Sequence, residues 1–218
     1  MRQWCFHELD SRTNCPQIGR RHRLIGAQLD FARSRPLSAK VLFAPASAMR
    51  LEFADSSIDM VTAALVVHFM SDPTSGVAEM ARVARTGGTV AGYAWDLAGG
   101  GFPYHAIHEA MRSIGLQVPD PPHPEVADVR NLEQPWTSAG LVHIAQREFS
   151  VTRTVPDFAR YWKVAITAPR IAAVLQDLSP TEHRRVRDAA QNMLPSASDG
   201  SVAPTARANA IRGRSPTR

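Results

Sequence analysis

Two polar side chains stand where apolar runs give out, and either could move a proton. His68 follows the nearly unbroken apolar stretch 58–67, and Asp96 follows the stretch 89–95. A neutral imidazole so placed can take a proton from a nucleophile, and a carboxylate can act as a second polar group at the same mouth. Each has an ordinary structural reading too: a histidine half-packed at a strand end, a carboxylate closing a turn. Trp95 next to Asp96, and Tyr104 and His105 after Gly99-Gly100-Gly101, would line the entrance. His105 and His108 lie three apart, but no third ligand stands at useful spacing, so no metal is expected. Cys5 and Cys15 are the only cysteines and read as two reduced thiols.

The elements that must position these residues are legible between 53 and 96. Residues 58–67 have the continuous apolarity of a strand covered on both faces. Asp72-Pro73 punctuates the chain, with Pro73 at a first helical position. Val77, Met80, Ala81 and Ala84 then recur at helical spacing, with Glu79, Arg82 and Arg85 on the other face. Gly87-Gly88 is expected to stop that helix before a second strand over 89–95. Two buried strands joined by such a helix make a parallel crossover unit. Its carboxyl edge, where open α/β sheets hold ligands, is where His68 and Asp96 fall.

Length and charge set the outer limits. A chain of 218 residues, 44% of them apolar, can bury one full core. The longest apolar run, 60–69, is too short to span a bilayer, and no segment of signal-peptide type opens the sequence. A soluble cytoplasmic protein with no membrane partner is the expectation. Residues 1–50 hold nine Arg or Lys against three Asp or Glu, and the remainder sixteen against seventeen, so the net charge of +5 resides in the first fifty. No helix carries a basic stripe interleaved with aromatics, which leaves a nucleic-acid partner without support.

Strings across the chain are similar to a known family. ADSSIDMV, LVVHF with SDP, and EMARVARTGGTVAGYAWD resemble the post-cofactor half of a class I S-adenosylmethionine (SAM)-dependent methyltransferase of the small-molecule type. The likeness continues through GGGFPYHAIHEAMRSIG and WTSAGLVHIAQREFSV to ARANAIRGR. It implies a doubly wound, mostly parallel Rossmann-like sheet ending in an antiparallel strand over 202–211, with a helical insertion at 156–194 that caps the site. It implies SAM as cofactor, with Ser47, Ala48, Met49, Asp59 and Leu65 on the cofactor side, and a small-molecule acceptor. Tyr161 and Trp162 would then join Trp95, Tyr104 and His105 in the substrate pocket, although a core-facing stripe fits them equally.

The front of the sequence departs from that family. Its first strand, glycine-rich G-x-G-x-G turn and helix need on the order of 30 residues, whereas residues 1–23 contain Gly19 as their single glycine. Where the family has a ribose-binding carboxylate the sequence has Arg23, and Arg20 to Gly26 contain none. Ser47 stands in the place of an adenine-binding aspartate. Residues 1–23 therefore read as a loosely attached leader, 24–214 as a partial methyltransferase domain and 215–218 as a tail. Weak or absent SAM binding is expected. Three readings stay open: a methyltransferase whose front half comes from another polypeptide or a longer reading frame, an inactive remnant serving as a binding or interaction module, and a leader that makes its own first strand from Trp4 to Leu9.

Overall fold

The computed structural model describes residues 3–6, 26–27, 29–35, 41 and 43–217. Among these, strands β1 (Gln3–Phe6), β2 (Ile58–Ala64), β3 (Ala84–Trp95), β4 (Val142–Thr152) and β5 (Thr205–Arg214) form one sheet in the order β1-β2-β3-β5-β4. The pairs β1·β2 and β2·β3 are parallel, so three carboxyl ends share one edge. Strand β5 runs antiparallel to both its neighbours. The first strand lies inside the leader, where Trp4 pairs with Val61 and Phe6 with Ala63. Gly19, Arg23 and Cys15 lie outside the described residues. Residues 26–27 and 29–34 are helical, here α1, and residues 41, 43 and 44 have no regular structure.

Helix α2 (Pro73–Val83) forms because Asp72 caps it, its carboxylate accepting from the amides of Thr74 (3.0 Å) and Ser75 (3.2 Å), with Pro73 in the first turn. Val77, Met80 and Val83, all fully buried, seat it on the sheet. The helix ends at Val83 rather than at Gly87-Gly88, because β3 starts at Ala84 and takes both glycines. Their role is close approach. Ile58 faces Ala84 and Met60 faces Thr89, so a step of two on β2 meets a step of five on β3. The extra backbone folds in so tightly that a Cβ on Gly88 would sit 2.7 Å from the Arg85 carbonyl oxygen.

Helix α4 (Glu133–Ser138) closes the same core with Trp136, which is fully buried and donates from Nε1 to the Val90 carbonyl at 3.1 Å. Its ring covers Gly92, where a Cβ would come within 2.8 Å of it. A second core lies in α3 (His105–Ser113), α5 (Phe158–Ala165), α6 (Pro169–Leu175) and α7 (Pro180–Met193), where Ile107 and Met111 pack with Tyr161, Ile171 and Val186. Proline opens α6 and α7, whereas α5 begins at Phe158 with Asp157 as its cap. The end of the chain is less loose than its composition suggests. Strand β5 continues to Arg214, and Ser215 exchanges backbone hydrogen bonds of 3.0 Å with Gly87 and Gly88.

Candidate active site

The polar residues of interest sit where β2 and β3 end. Leu65 leaves β2 at φ +59°, uncommon for a residue with a side chain, while its amide donates to the Tyr93 carbonyl at 2.9 Å. That reversal turns the chain into a 3-10 turn, Val67–Phe69, so the strand stops at Ala64 and His68 sits on the turn beyond it. The imidazole is 2% exposed, and its Nδ1 meets no hydrogen-bond partner among the described residues. Burial, with the charge of Arg170 in second place, lowers its pKa from 6.5 to about 4. It is neutral at pH 7. The His68 carbonyl accepts from the His123 amide at 3.1 Å, and the His123 ring contacts the Ser71 carbonyl at 3.2 Å and Glu125 Oε1 at 3.0 Å, which clasps the turn. Beside the clasp a cavity of about 340 Å³ opens at the start of α2, lined by Asp72, Thr74, His123, Glu125 and Asn131 among others.

Asp96 takes the structural role that the sequence left open. Arg207 donates to its Oδ2 from Nε at 2.8 Å and Nη2 at 2.5 Å, and the Gly99 amide donates to its Oδ1 at 3.0 Å. The Gly101 amide donates to the Asp96 carbonyl at 2.7 Å. Both carboxylate oxygens are therefore engaged in fixing the glycine turn to β5, while Oδ1, with one donor, keeps a second lone pair.

The five cofactor-side residues divide. Asp59 is the second residue of β2, at the amino edge, about 20 Å along the strand from the carboxyl edge. It receives a 2.5 Å bond from Arg85 Nε, so it cannot serve a ligand at the far edge. Ser47, Ala48 and Met49 form a tight turn closed by the Arg50 amide on the Ser47 carbonyl at 3.1 Å. The Met49 amide donates to Ser47 Oγ at 3.2 Å, which leaves that hydroxyl a second lone pair. Ala48 is 1% exposed and belongs to the sheet core, with Met49 packed against it. Glu79 and Arg82 of α2 hold the next residue, accepting from the Leu51 amide at 2.7 Å and donating to its carbonyl at 3.0 Å. The position near Arg23, where the resemblance would put a ribose-binding carboxylate, lies outside the described residues.

The aromatic residues form a row at the cap. Tyr104 meets Phe102 edge-on at 5.5 Å and lies 5.9 Å from Tyr161. The Tyr161 hydroxyl donates to the Pro103 carbonyl at 3.2 Å, and burial pushes its pKa up. Trp162 packs between Phe158, at 6.2 Å, and His183, at 5.6 Å. Tyr161 and Trp162 are both buried in the cap core, the alternative their spacing allowed. His105 lies over Gly100, its Nε2 3.0 Å from where a Cβ would stand, and Trp95 is half-buried at the end of β3. Among the described residues no group of three His, Cys, Asp or Glu is arranged around a metal, and no helix is long and apolar enough to cross a membrane.

Three residues were not singled out for this site from sequence. Arg170 of α6 donates to the Pro119 carbonyl and lies 3.6 Å from Asp120 Oδ1, while its Nε is buried without a partner. His108, weighed only as a metal ligand, is 5% exposed with Nε2 unpartnered, and burial lowers its pKa to about 4. Asn209 of β5 is 2% exposed and donates to the Ala127 carbonyl at 2.9 Å, with Oδ1 unpartnered. For Arg170 the signal was a lone polar residue in the otherwise apolar PRIAAVL; Asn209, in a strand that also carries Arg207 and Arg212, gave no such signal.

A methyltransferase-domain family model matches residues 24–92. The YcgJ protein of Bacillus subtilis superposes with a TM-score of 0.50 at 18% identity, covering 90% of this chain and 80% of that one. A candidate methyltransferase of Bacillus halodurans gives 0.49 at 13% identity, covering 89% and 80%. Phosphoethanolamine N-methyltransferase 2 of Haemonchus contortus, solved with S-adenosyl-L-methionine, gives 0.39 at 14%, covering 79% and 36%.

Proposed function

We propose that the protein transfers a methyl group from SAM to a small-molecule acceptor at the carboxyl edge of β2 and β3, a reading supported by the methyltransferase-domain model that matches residues 24–92. The observation that carries this reading is His68: a buried, neutral imidazole with an open ring nitrogen, at the edge where such sheets take ligands. SAM, when bound, supplies an electrophilic methyl. The protein's own contribution is then to hold the acceptor in line, exclude water and receive a proton. Ser47, Met49 and Leu65 hold the adenine end. Trp95, Tyr104 and His105 face the acceptor, and His68 Nδ1 takes the acceptor proton. Asp96 acts only through the loop it fixes, and Tyr161 and Trp162 only by stiffening the cap.

Isothermal titration of the purified chain with SAM tests the cofactor part. A saturable heat is expected, and none at millimolar SAM would sink it. His68→Gln separates the roles: the SAM heat should persist while methyl transfer falls at least 100-fold. A methyltransferase-like binding module is the second reading, favoured by the absence of any carboxylate from Arg20 to Gly26. It requires that no acceptor be methylated even where SAM binds.

A further inference from the structure

Three buried nitrogens have no hydrogen-bond partner among the described residues: His68 Nδ1, His108 Nε2 and Arg170 Nε. They come from three elements, the 3-10 turn after β2, helix α3 and helix α6. The loop at 119–123 brings the first and third together, since Pro119 accepts from Arg170 at one end and His123 donates to the His68 carbonyl at the other. The Arg170 charge reaches both imidazoles, for it is the second cause of the low pKa in each. On the α3 side His108 stacks on Phe102, with centroids 4.8 Å apart and planes 25° from parallel.

A buried polar atom left without a hydrogen bond costs about 1–3 kcal/mol, and several together at a ligand edge point to a ligand. The chemistry of the set narrows which. Both imidazoles are neutral at pH 7, and His108 can present an N–H at its unpartnered Nε2. Guanidinium has donors only, so a cation or metal is repelled. Arg112 is already paired with Glu109, whereas the acidic neighbour of Arg170 is Asp120 at 3.6 Å, so Arg170 is the cation an anion would meet. Asp120, 66% exposed, makes a weak pair that a bound anion can replace. Phe102, stacked on His108, and Tyr104, edge-on to Phe102, supply flat apolar surface on that side.

We propose that this junction binds the carboxylate of an aromatic monoacid, with Arg170 as its anchor and the His108 ring nitrogen completing the grip, which leaves His68 Nδ1 unprotonated beside the bound acid. Resting on the methyl-transfer reading, it names the class of acceptor for that site, an aromatic acid held by its carboxylate beside His68.

Benzoate is the probe, with benzamide as its uncharged match, titrated calorimetrically into the full chain without SAM. Benzoate should bind at least 10-fold more tightly than benzamide, and Arg170→Gln should weaken benzoate at least 10-fold while leaving benzamide unchanged. Bound benzoate should also shift the C2-proton NMR signals of His68 and His108. Arg170→Lys keeps the charge without the fork and should give an intermediate loss, and it replaces Arg170→Gln if that variant fails to fold. Equal affinity for the two probes, no benzoate heat, or benzoate binding indifferent to both Arg170 variants would each overturn the proposal. Benzoate bound through Arg170 by a chain that takes no SAM would keep this site and discard the methyl-transfer reading.

Discussion

The sheet body and the cap junction are built on opposite terms. In the body, polar groups are matched: Trp136 Nε1 has the Val90 carbonyl, Leu51 has Glu79 and Arg82, and Asp72 caps α2. Thr62 Oγ1 and Asn209 Oδ1 are buried exceptions. At the junction, His68, His108 and Arg170 each keep an unmatched buried nitrogen. A protein selected for stability alone would fill or remove such atoms, since each lowers the folded state's advantage. The contrast shows where stability and ligand binding pull apart.

The comparison breaks first if the body is not held by packing. Trp136→Ala removes a fully buried ring and its hydrogen bond, and should cost about 3–5 kcal/mol in urea unfolding. A loss near 1 kcal/mol would mean the body is looser than its contacts imply.

The junction makes the next largest prediction, and it is pH-dependent. His68 and His108 bind protons near 6.5 when unfolded but only near 4 when folded. The unfolded chain therefore holds more protons between those values, so stability is full above pH 6.5 and falls as pH drops toward 4, by roughly 3 kcal/mol for each histidine. His108→Gln should flatten about half of that slope. An unchanged slope would show that His108 is not buried and neutral.

Smaller effects sharpen the body's side. Gly92→Ala puts a methyl against Trp136 and should cost about 1–3 kcal/mol by thermal unfolding. Glu79→Ala strips the Leu51 amide of its partner and should cost about 1–2 kcal/mol at pH 7. The Arg82 hydrogen bond holds the Glu79 pKa below 4.5, so this contribution is present above pH 4.5 and fades as pH falls through the lower folded value. In the variant that acid-side loss should disappear.

What the sequence revealed followed periodicity. The strand–helix–strand unit stood out because apolar spacing there is dictated by burial. The error at Gly87-Gly88 has a physical source: glycine marks helix ends and backbone close approach alike, and only the pairing of β2 with β3 tells them apart. Asp59 was put on the cofactor side by family resemblance, although its place as second residue of the strand already set it at the amino end. The tie between Asp96 and Arg207 was not legible because the partners lie 111 positions apart. Arg170 was passed over because one polar residue barely disturbs an apolar pattern, although its isolation was the clue.

Strand β5 lies between β3 and β4, yet it is made after both and after the whole cap. As the nascent chain emerges, β4 must wait some fifty residues for a neighbour, with Phe149 and Val151 on its surface meanwhile. Sheet assembly is consequently a late event, and slow, because the strand that unites the two halves crosses a long stretch of sequence to do so. Anything that trims or delays that segment leaves β4 as a sticky unpaired ribbon, and its loss should be seen as aggregation before any change in ligand chemistry.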